Sequence, residues 1–150
     1  MASHTSKIVV RYAETDQMGV AHHTAYLIWF EVARTDMLRR LGYSYRKLEE
    51  EGFAMPVIES GCRHLASARY DDQVVVEARI GEIRKARVRI DYTARDESGK
   101  TLAEGFTVHA FLNGDKRPRG LPPDMAAALR NDFPEESSSQ AGSTSGHQVK

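Results

Sequence analysis

The sequence predicts an α+β domain in which an antiparallel sheet of about five strands wraps around one long central helix. Three observations favour this class: one long stretch of helical periodicity, period-two alternation in several later segments, and short links between those segments. Short links join antiparallel neighbours, so the alternating segments belong to one sheet. Because that sheet has an apolar face and a single long helix to cover it, the helix is expected to lie against that face.

The N-terminal part of the chain predicts one strand and two helices. Residues 7–13 are rich in β-forming side chains and are assigned to the first strand, which a polar loop follows. Helical spacing then runs from Thr24 to Leu41, with Thr24 as the expected N-cap and Gly42 as the stop. The first half of this helix is apolar almost all round, which is typical of a helix buried on several sides. A short second helix is expected at 44–51.

Four strand candidates follow the helices. Residues 54–65 are the least regular of them, and Pro56 indicates an edge position or a bulge. The alternating segments 73–83, 86–96 and 101–112 have short links between them and predict a three-stranded antiparallel meander. The apolar side chains of the last strand are expected on one face: Phe106, Val108, Ala110 and Leu112.

The chain length of 150 residues allows one domain with one core. Residues 121–131 predict a short terminal helix, and from Pro134 the composition changes to Ser, Gly, Gln and Glu. We therefore expect a single domain over 1–133 and a disordered tail over 134–150. The sheet of that domain has an edge strand, and homodimerisation through the edge is one way to protect it.

Composition limits the class of partner and the compartment. Lys plus Arg equals Asp plus Glu at 21 each, so there is no overall basic field of the kind that nucleic-acid binding uses. Cys62 is the only cysteine, so no intrachain disulfide is possible, and a packing role is favoured over a nucleophilic one. The first residues lack the apolar segment of a secretory signal, and no apolar run has the length of a membrane span. The expected location is the cytoplasm.

The loop before the long helix is the predicted site of chemistry. Asp16, Gly19, His22 and His23 lie together directly ahead of the helix. The free N–H groups of a first helical turn stabilise an oxyanion, and a nearby carboxylate acts as a general base or as a nucleophile. By spacing alone, these residues could equally be turn formers and caps. Adjacent histidines do not readily bind one ion and no third ligand stands at metal spacing, so neither a metal nor a cofactor is expected.

Residues 11–42, RYAETDQMGVAHHTAYLIWFEVARTDMLRRLG, resemble the signature of the 4-hydroxybenzoyl-CoA thioesterase family, and especially its YbgC-like acyl-CoA thioesterase branch. The family has an aspartate, a glycine about three residues later, a His or Tyr seven residues after the aspartate, and a Tyr three further. The positions of this motif are occupied by Asp16, Gly19, His23 and Tyr26. The resemblance continues through 55–80 and 99–122, so it covers roughly residues 7–125.

The resemblance implies the hotdog fold, in which an antiparallel sheet wraps a long helix and dimers form by sheet extension. It implies that Asp16 is the catalytic carboxylate of an acyl-CoA thioesterase. The backbone N–H of His23 would polarise the thioester carbonyl, and its side chain would orient substrate or water. Gly19 and Tyr26 would position the loop and the substrate. Residues near 57–62 of the partner chain would line the acyl pocket of a homodimer or homotetramer.

The same resemblance leaves parts of the substrate open. Acyl-CoA is the expected substrate, and an acyl-carrier-protein thioester is a possible one. The residue before His23 is commonly aromatic in the branch, whereas this chain has His22. That difference lies beside the expected acyl pocket, so no acyl preference is transferred.

Other polar residues have two interpretations each. Two basic clusters are expected either to bind the phosphates of CoA or to form a solvated face: Arg84, Lys85 and Arg87, and Lys116, Arg117 and Arg119. Glu31 and Arg34 are three residues apart on the long helix. An ion pair is favoured over a second catalytic carboxylate for Glu31. Trp29 and Phe30 are assigned to the core.

Three other functions compete with the thioesterase assignment. An enoyl-thioester hydratase on the same fold usually has an Asp-x-Asn-Pro-x-His loop, and the stretch from Asp16 to His22 has neither the Asn-Pro pair nor that spacing. A non-enzymatic acyl-CoA sensor usually carries an additional DNA-binding segment, for which this chain has no spare length. A purely structural oligomer would give the carboxylate loop no purpose.

Overall fold

The computed structural model describes residues 1–131, and they form the α+β arrangement that the sequence predicts. The strands are β1 (Ser3–Val9), β2 (Val57–His64), β3 (Gln73–Arg84), β4 (Arg87–Arg95) and β5 (Thr101–Ala110). The helices are α1 (His23–Arg40), α2 (Tyr45–Glu50) and α3 (Pro123–Arg130), with a 3-10 turn at Tyr12–Glu14. The tail predicted for 134–150 lies outside the described residues.

The five strands form one antiparallel sheet in the order β1-β3-β4-β5-β2. The meander predicted for β3, β4 and β5 is present, with each strand paired to the next in sequence. β2 pairs with β5 alone within the described residues, and its register shifts between Val57 and Glu59. The edge position and the bulge indicated by Pro56 are therefore both found.

Helix α1 packs one side against the inner face of the sheet. The buried residues of this side recur at three- and four-residue spacings: Tyr26, Trp29, Phe30, Ala33, Met37 and Leu38. The opposite side also carries large apolar residues, but Leu27, Ile28 and Val32 are 41%, 47% and 41% exposed. Within one chain the helix is therefore buried on one side only, and not on several as its composition indicates.

The first strand and the first helix begin elsewhere than the sequence predicts. The strand assigned to 7–13 is wrong in position, because β1 covers Ser3–Val9 and the chain then turns at Tyr12–Glu14. The N-cap of α1 is His22 and not Thr24, since Nδ1 of His22 accepts a hydrogen bond from the Thr24 N–H at 3.2 Å. An imidazole nitrogen thus replaces the hydroxyl oxygen that usually caps a helix.

The last strand presents the opposite face to the one expected. Thr107 and His109 are buried toward the helix, whereas Phe106, Val108 and Ala110 are half-buried on the outer face. The polar residues tolerate burial because they bond to each other, with His109 Nε2 and Thr107 Oγ1 2.9 Å apart. Hydrogen bonding, and not apolar alternation, therefore sets the inner face of β5.

Candidate active site

Asp16 lies in a tight turn that returns the chain toward the start of helix α1. Its backbone N–H donates to the Val20 carbonyl at 2.9 Å, and its carbonyl accepts from the Gly19 N–H at 3.0 Å. Gly19 has a φ of +78°, a conformation that glycine adopts without strain. The Met18 N–H donates to Asp16 Oδ1 at 2.9 Å. The hydrogen bonds found among residues 1–131 leave Oδ2 of the half-buried Asp16 open.

The turn places Asp16 beside the helix N-terminus. An isolated antiparallel β-bridge joins Thr15 to Ala21. Asp16 directly follows Thr15 and His23 comes two residues after Ala21, so the bridge holds Asp16 near the helix start. His23 is the first residue of α1, and its N–H has no acceptor among the described residues. An unused N–H at the positive end of a helix of 18 residues favours an anion. A carboxylate and an oxyanion donor therefore lie close together.

Glu14 stabilises this loop through bonds that no sequence motif indicates. Its carboxylate accepts from the Arg11 N–H at 2.9 Å, from the Arg11 guanidinium at 3.1 Å and from Trp29 Nε1 at 3.1 Å. Its carbonyl also accepts from the His22 N–H at 2.7 Å. Burial raises the pKa of Glu14, but the hydrogen bonds from Arg11 and Trp29 outweigh burial and leave the pKa lowered. The charged carboxylate thus ties the loop to helix α1.

Aromatic rings surround the helix start. The His23 ring stacks on that of His22 with centroids 4.3 Å apart, and the ring of His64, the last residue of β2, lies 6.3 Å from His23. Tyr26 is buried, with its ring 4.9 Å from that of His64. Burial, with a smaller effect of Cys62, raises the pKa of Tyr26. Tyr26 therefore holds the helix against β2 as a neutral phenol.

Cys62 is half-buried on β2, with Sγ 4.0 Å from Nδ1 of His64. Burial raises the pKa of the Cys62 thiol. A nucleophilic cysteine needs a lowered pKa, so this environment favours the packing role over a nucleophilic one.

A cavity of about 230 Å³ lies between helix α1 and strand β2, and we call it the helix–β2 groove. Its apolar wall consists of Leu27, Ile28 and Val57. Its polar residues are Glu31, Arg34, Ser60 and Thr107. The groove therefore begins one turn into α1, beyond the helix start, and becomes polar toward Arg34.

A buried polar network supports the inner end of the groove. Arg34 donates from Nε to the Tyr45 hydroxyl at 3.0 Å. Tyr92 and Thr107 are joined through their hydroxyls at 2.6 Å, and His109 Nδ1 lies 3.1 Å from the Met55 carbonyl. Burial lowers the pKa of His109 to about 4, so its imidazole is neutral at pH 7.

The buried or interfacial ion pair with an arginine that is expected for Glu31 does not form within one chain over the described residues. Glu31 is exposed, and none of the ion pairs found in residues 1–131 includes it or Arg34. The hydroxyl groups of Tyr45 and Tyr92 are the hydrogen-bond partners of the guanidinium.

The two basic clusters meet at one end of the sheet. The Leu121 N–H donates to the Lys85 carbonyl at 3.4 Å, and the Arg119 N–H donates to Phe111, whose own N–H bonds to Ala86. These backbone bonds join the segments that carry the predicted phosphate-binding cations: Arg84, Lys85, Arg87, Arg117 and Arg119. Arg84 and Arg87 also line an outer-face cavity of about 330 Å³.

Within one chain this basic end is remote from the helix start. Arg87 pairs with Ala110 at the Val57 end of β2, whereas His23 contacts His64 at the other end. The eight residues of β2 separate the two ends by about 24 Å at the usual strand rise. The structure therefore brings Asp16, Gly19 and His23 together but does not bring the basic clusters to them.

The arrangement defines a class of protein. A carboxylate lies beside a free helix-terminal N–H, next to a groove, on a sheet wrapped around one helix. Residues 1–131 contain no group of three or more His, Cys, Asp or Glu side chains that could hold a metal ion. In the same range no helix is long and apolar enough to cross a membrane. The carboxylate, the free N–H and the groove are the parts that acyl transfer to water requires.

Known proteins are similar to this chain in sequence and in fold. Residues 18–103 match the model of the thioesterase superfamily. YneP of Bacillus subtilis is 33% identical over 73% of this chain and 81% of its own. The acyl-CoA thioesterase YbgC of Haemophilus influenzae is 28% identical over 81% of this chain and 90% of its own. The crystal structure of the hypothetical protein TT1821 from Thermus thermophilus superposes with a TM-score of 0.79 at 42% identity, covering 83% of this chain and 95% of that one.

The chain belongs to the thioesterase superfamily, and it is a thioester hydrolase. The resemblance of residues 11–42 to the YbgC-like branch is confirmed, as is the hotdog fold that it implies.

Proposed function

We propose that this protein hydrolyses acyl-CoA thioesters and that Asp16 is its catalytic carboxylate. The observation that carries the proposal is the pairing of an open Asp16 Oδ2 with an unused His23 N–H across one short turn. The acyl-CoA thioesterase activity named for the YbgC relative supports the choice of substrate.

The proposed reaction needs few groups. The His23 N–H donates to the thioester carbonyl and stabilises the oxyanion that forms when oxygen attacks the carbonyl carbon. Asp16 either accepts a proton from the attacking water or attacks the carbonyl itself, in which case water then hydrolyses the resulting anhydride. In both routes the C–S bond breaks, CoA leaves as a thiolate, and the products are a carboxylic acid and CoA. His23, exposed and stacked on His22, is available to orient the water.

We also propose that the active form contains at least two copies of the chain. Strand β2 has a free edge within the described residues, and Val57 on β2 is exposed beside Leu27 and Ile28 on α1. Ile58 on β2 and Val32 on α1 are exposed as well. Antiparallel pairing of β2 with the β2 of a second copy satisfies that edge and covers these residues.

Such pairing also explains the position of the basic clusters. In an antiparallel pair the Val57 end of one β2 lies beside the His64 end of the other. The partner's cations would then approach the helix start of the first chain, where the CoA phosphates need them. The partner's residues near 57–62 would line the acyl pocket.

The test is CoA release, followed with a thiol-reactive dye, from short, medium, long and aromatic acyl-CoAs. Asp16→Asn removes the base and the nucleophile while keeping the turn-forming side chain, and we expect kcat to fall by about a hundredfold or more. Asp71→Asn makes the same change at an exposed loop aspartate and should leave kcat unchanged. Full activity of folded Asp16→Asn would refute the role of Asp16. If the wild type releases no CoA, tight acyl-CoA binding would indicate a sensor.

A further inference from the structure

The inner end of the helix–β2 groove contains a buried cation without a counter-ion. Arg34 is only 8% exposed and lines the groove together with Thr107. Its hydrogen-bond partners are the neutral hydroxyls of Tyr45 and Tyr92, and no carboxylate of residues 1–131 forms an ion pair with it.

The guanidinium remains charged despite its burial. Burial lowers the pKa of Arg34, but the hydroxyls of Tyr45 and Tyr92 outweigh that effect and leave the pKa raised. A buried charge without an opposite charge is costly, so an anion that reached Arg34 through the groove would be bound strongly. The free energy of this site therefore favours a negatively charged ligand group.

The buried network determines which hydrogen bonds the groove offers. The Met55 carbonyl can only accept, so His109 donates from Nδ1 and accepts at Nε2 from the Thr107 hydroxyl. The Thr107 oxygen must then accept from Tyr92, whose own oxygen accepts from Arg34. With these protons committed, Thr107 and Tyr92 have none to donate to a ligand. Arg34 has five N–H groups and two hydroxyl partners, so it supplies the donors at this end.

The distance along helix α1 indicates how long the ligand must be. Arg34 lies eleven positions after His23, which corresponds to about 16 Å along the axis, less the lean of its side chain toward the helix N-terminus. Between the two lie the apolar walls formed by Leu27, Ile28 and Val57. A ligand that joins the two ends therefore has an apolar middle and an anionic far end.

We infer that the groove binds extended acyl chains of about eight to twelve carbons that end in a carboxylate, and that Arg34 binds this carboxylate. The inference rests on the proposed function, with the thioester at the His23 N–H. It deepens that function by naming the substrate class as the mono-CoA thioesters of straight-chain dicarboxylic acids. Glu31 at the same groove opposes the bound anion, and because Glu31 is exposed to water this repulsion is limited to a few-fold in affinity.

The experiment compares kcat/KM for pairs of substrates of equal carbon number: octanoyl with suberoyl, decanoyl with sebacoyl, and dodecanoyl with dodecanedioyl thioesters of CoA. An apolar groove without a cation would reject the charged end. We expect the wild type to turn over the dicarboxylic substrate at least as efficiently as its partner at one length or more. A lower kcat/KM for the dicarboxylic substrate at all lengths would overturn the inference.

Variants assign the effect to Arg34. Arg34→Met keeps the packing of the stem but removes the charge, and we expect the dicarboxylic-to-monocarboxylic ratio of kcat/KM to fall about a hundredfold. Arg34→Lys should restore much of the ratio. Arg39→Met removes an exposed cation from the same helix outside the groove and should leave the ratio unchanged. A ratio that Arg34→Met does not alter would overturn the inference.

A second variant covers the case in which Arg34→Met does not fold. Glu31→Gln removes the opposing charge at an exposed position, so it should raise the ratio several-fold, most clearly at low salt. An unchanged or lower ratio would contradict the inference. The two proposals fail differently: absence of CoA release from all substrates refutes both, whereas release from the monocarboxylic substrates alone refutes only the role of Arg34.

Discussion

Glu14 illustrates how a single buried carboxylate connects the proposed catalytic loop to the core. It gathers donors from Arg11 on one side and from the Trp29 indole on the other. It also accepts from the chain just before helix α1 through its carbonyl, which bonds to His22. The position of Asp16 therefore depends on a residue that takes no direct part in the proposed reaction.

Glu14→Gln should destabilise the folded chain. The neutral amide weakens the bonds from Arg11 and Trp29, so the free energy of unfolding at pH 7 should fall by about 1–3 kcal/mol. Because the folded-state pKa of Glu14 is lowered from 4.5, its stabilisation is present above that pH and is lost as the pH falls through the folded-state pKa. Urea unfolding at pH 7 and at about pH 3 should show the difference from wild type shrinking. An equal difference at both pH values would contradict this role.

Burial keeps His109 neutral in the folded state, whereas Glu14 is charged there. Its pKa falls from 6.5 to about 4, so between these values the unfolded chain binds a proton that the folded chain does not. Stability should therefore decrease as the pH falls from 6.5 to 4, by about 3 kcal/mol in total, and this contribution stops changing below pH 4. His109→Gln should lose this part of the pH dependence, measured by denaturant unfolding across the window. A variant with the wild-type slope would refute the assignment.

At the scale of elements, Gly105 of strand β5 lies directly against the Phe30 ring of helix α1. A Cβ atom built there would lie 2.5 Å from the Phe30 ring and 2.6 Å from the Gly61 carbonyl. The Phe30 ring cannot move away freely, because it stacks on the Tyr92 ring with centroids 4.4 Å apart. The missing side chain of Gly105 thus allows the helix to pack on the sheet.

The next prediction compares two glycine substitutions in the same sheet. Gly105→Ala must displace a core ring and a backbone carbonyl, so we expect a loss of about 3 kcal/mol or more in stability. The nearest atoms to a Cβ at Gly61 all belong to the Phe106 ring, on the outer face under the Arg89 side chain, so Gly61→Ala should cost about 1 kcal/mol or less. Thermal unfolding of both variants provides the measurement. Equal destabilisation would show that the helix contact does not limit this position.

Periodicity predicted most of the elements, because it reports directly on which side chains share a face. It predicted helix α1 and the meander, whereas Pro56 indicated the edge position of β2. It was wrong on the face of β5, because both faces of that strand carry residues that can be buried once Thr107 and His109 are bonded. Thr107 also bonds to Tyr92 and His109 to Met55, and these partners are too far away in the chain to produce a local pattern.

The sequence indicated the candidate site residues that lie close together along the chain, but not the bonds between residues far apart in it. Asp16, Gly19 and His23 lie within eight consecutive residues, so a motif contains them. The partners of Glu14 and Arg34 were not predictable in this way, because Trp29 and Tyr92 stand 15 and 58 positions away from them. Arg11, three residues before Glu14, is the local exception.

At the scale of the whole molecule, one chain leaves the proposed site incomplete. The helix–β2 groove is lined by Leu27, Ile28 and Val57, which are exposed in one chain. Water in an open groove would weaken the attraction between Arg34 and a ligand anion. A second copy paired along β2 would exclude that water and bring its cations toward His23. Assembly and activity are therefore expected to be lost together.

The last prediction tests this coupling with Ile58→Lys on the free edge of β2. A lysine on an edge strand opposes strand pairing between copies, so the variant should sediment as a single chain of 16.8 kDa, whereas the wild type has at least twice that mass. Its kcat/KM should fall by about tenfold or more, because the proposed site needs both copies. Val9→Lys makes the same kind of change at the end of β1, the opposite edge, and should keep the wild-type mass and activity. If Val9→Lys dissociates the protein and Ile58→Lys does not, the copies associate through β1. If Ile58→Lys is a fully active monomer, one chain is sufficient, and the basic clusters do not reach the thioester from a partner.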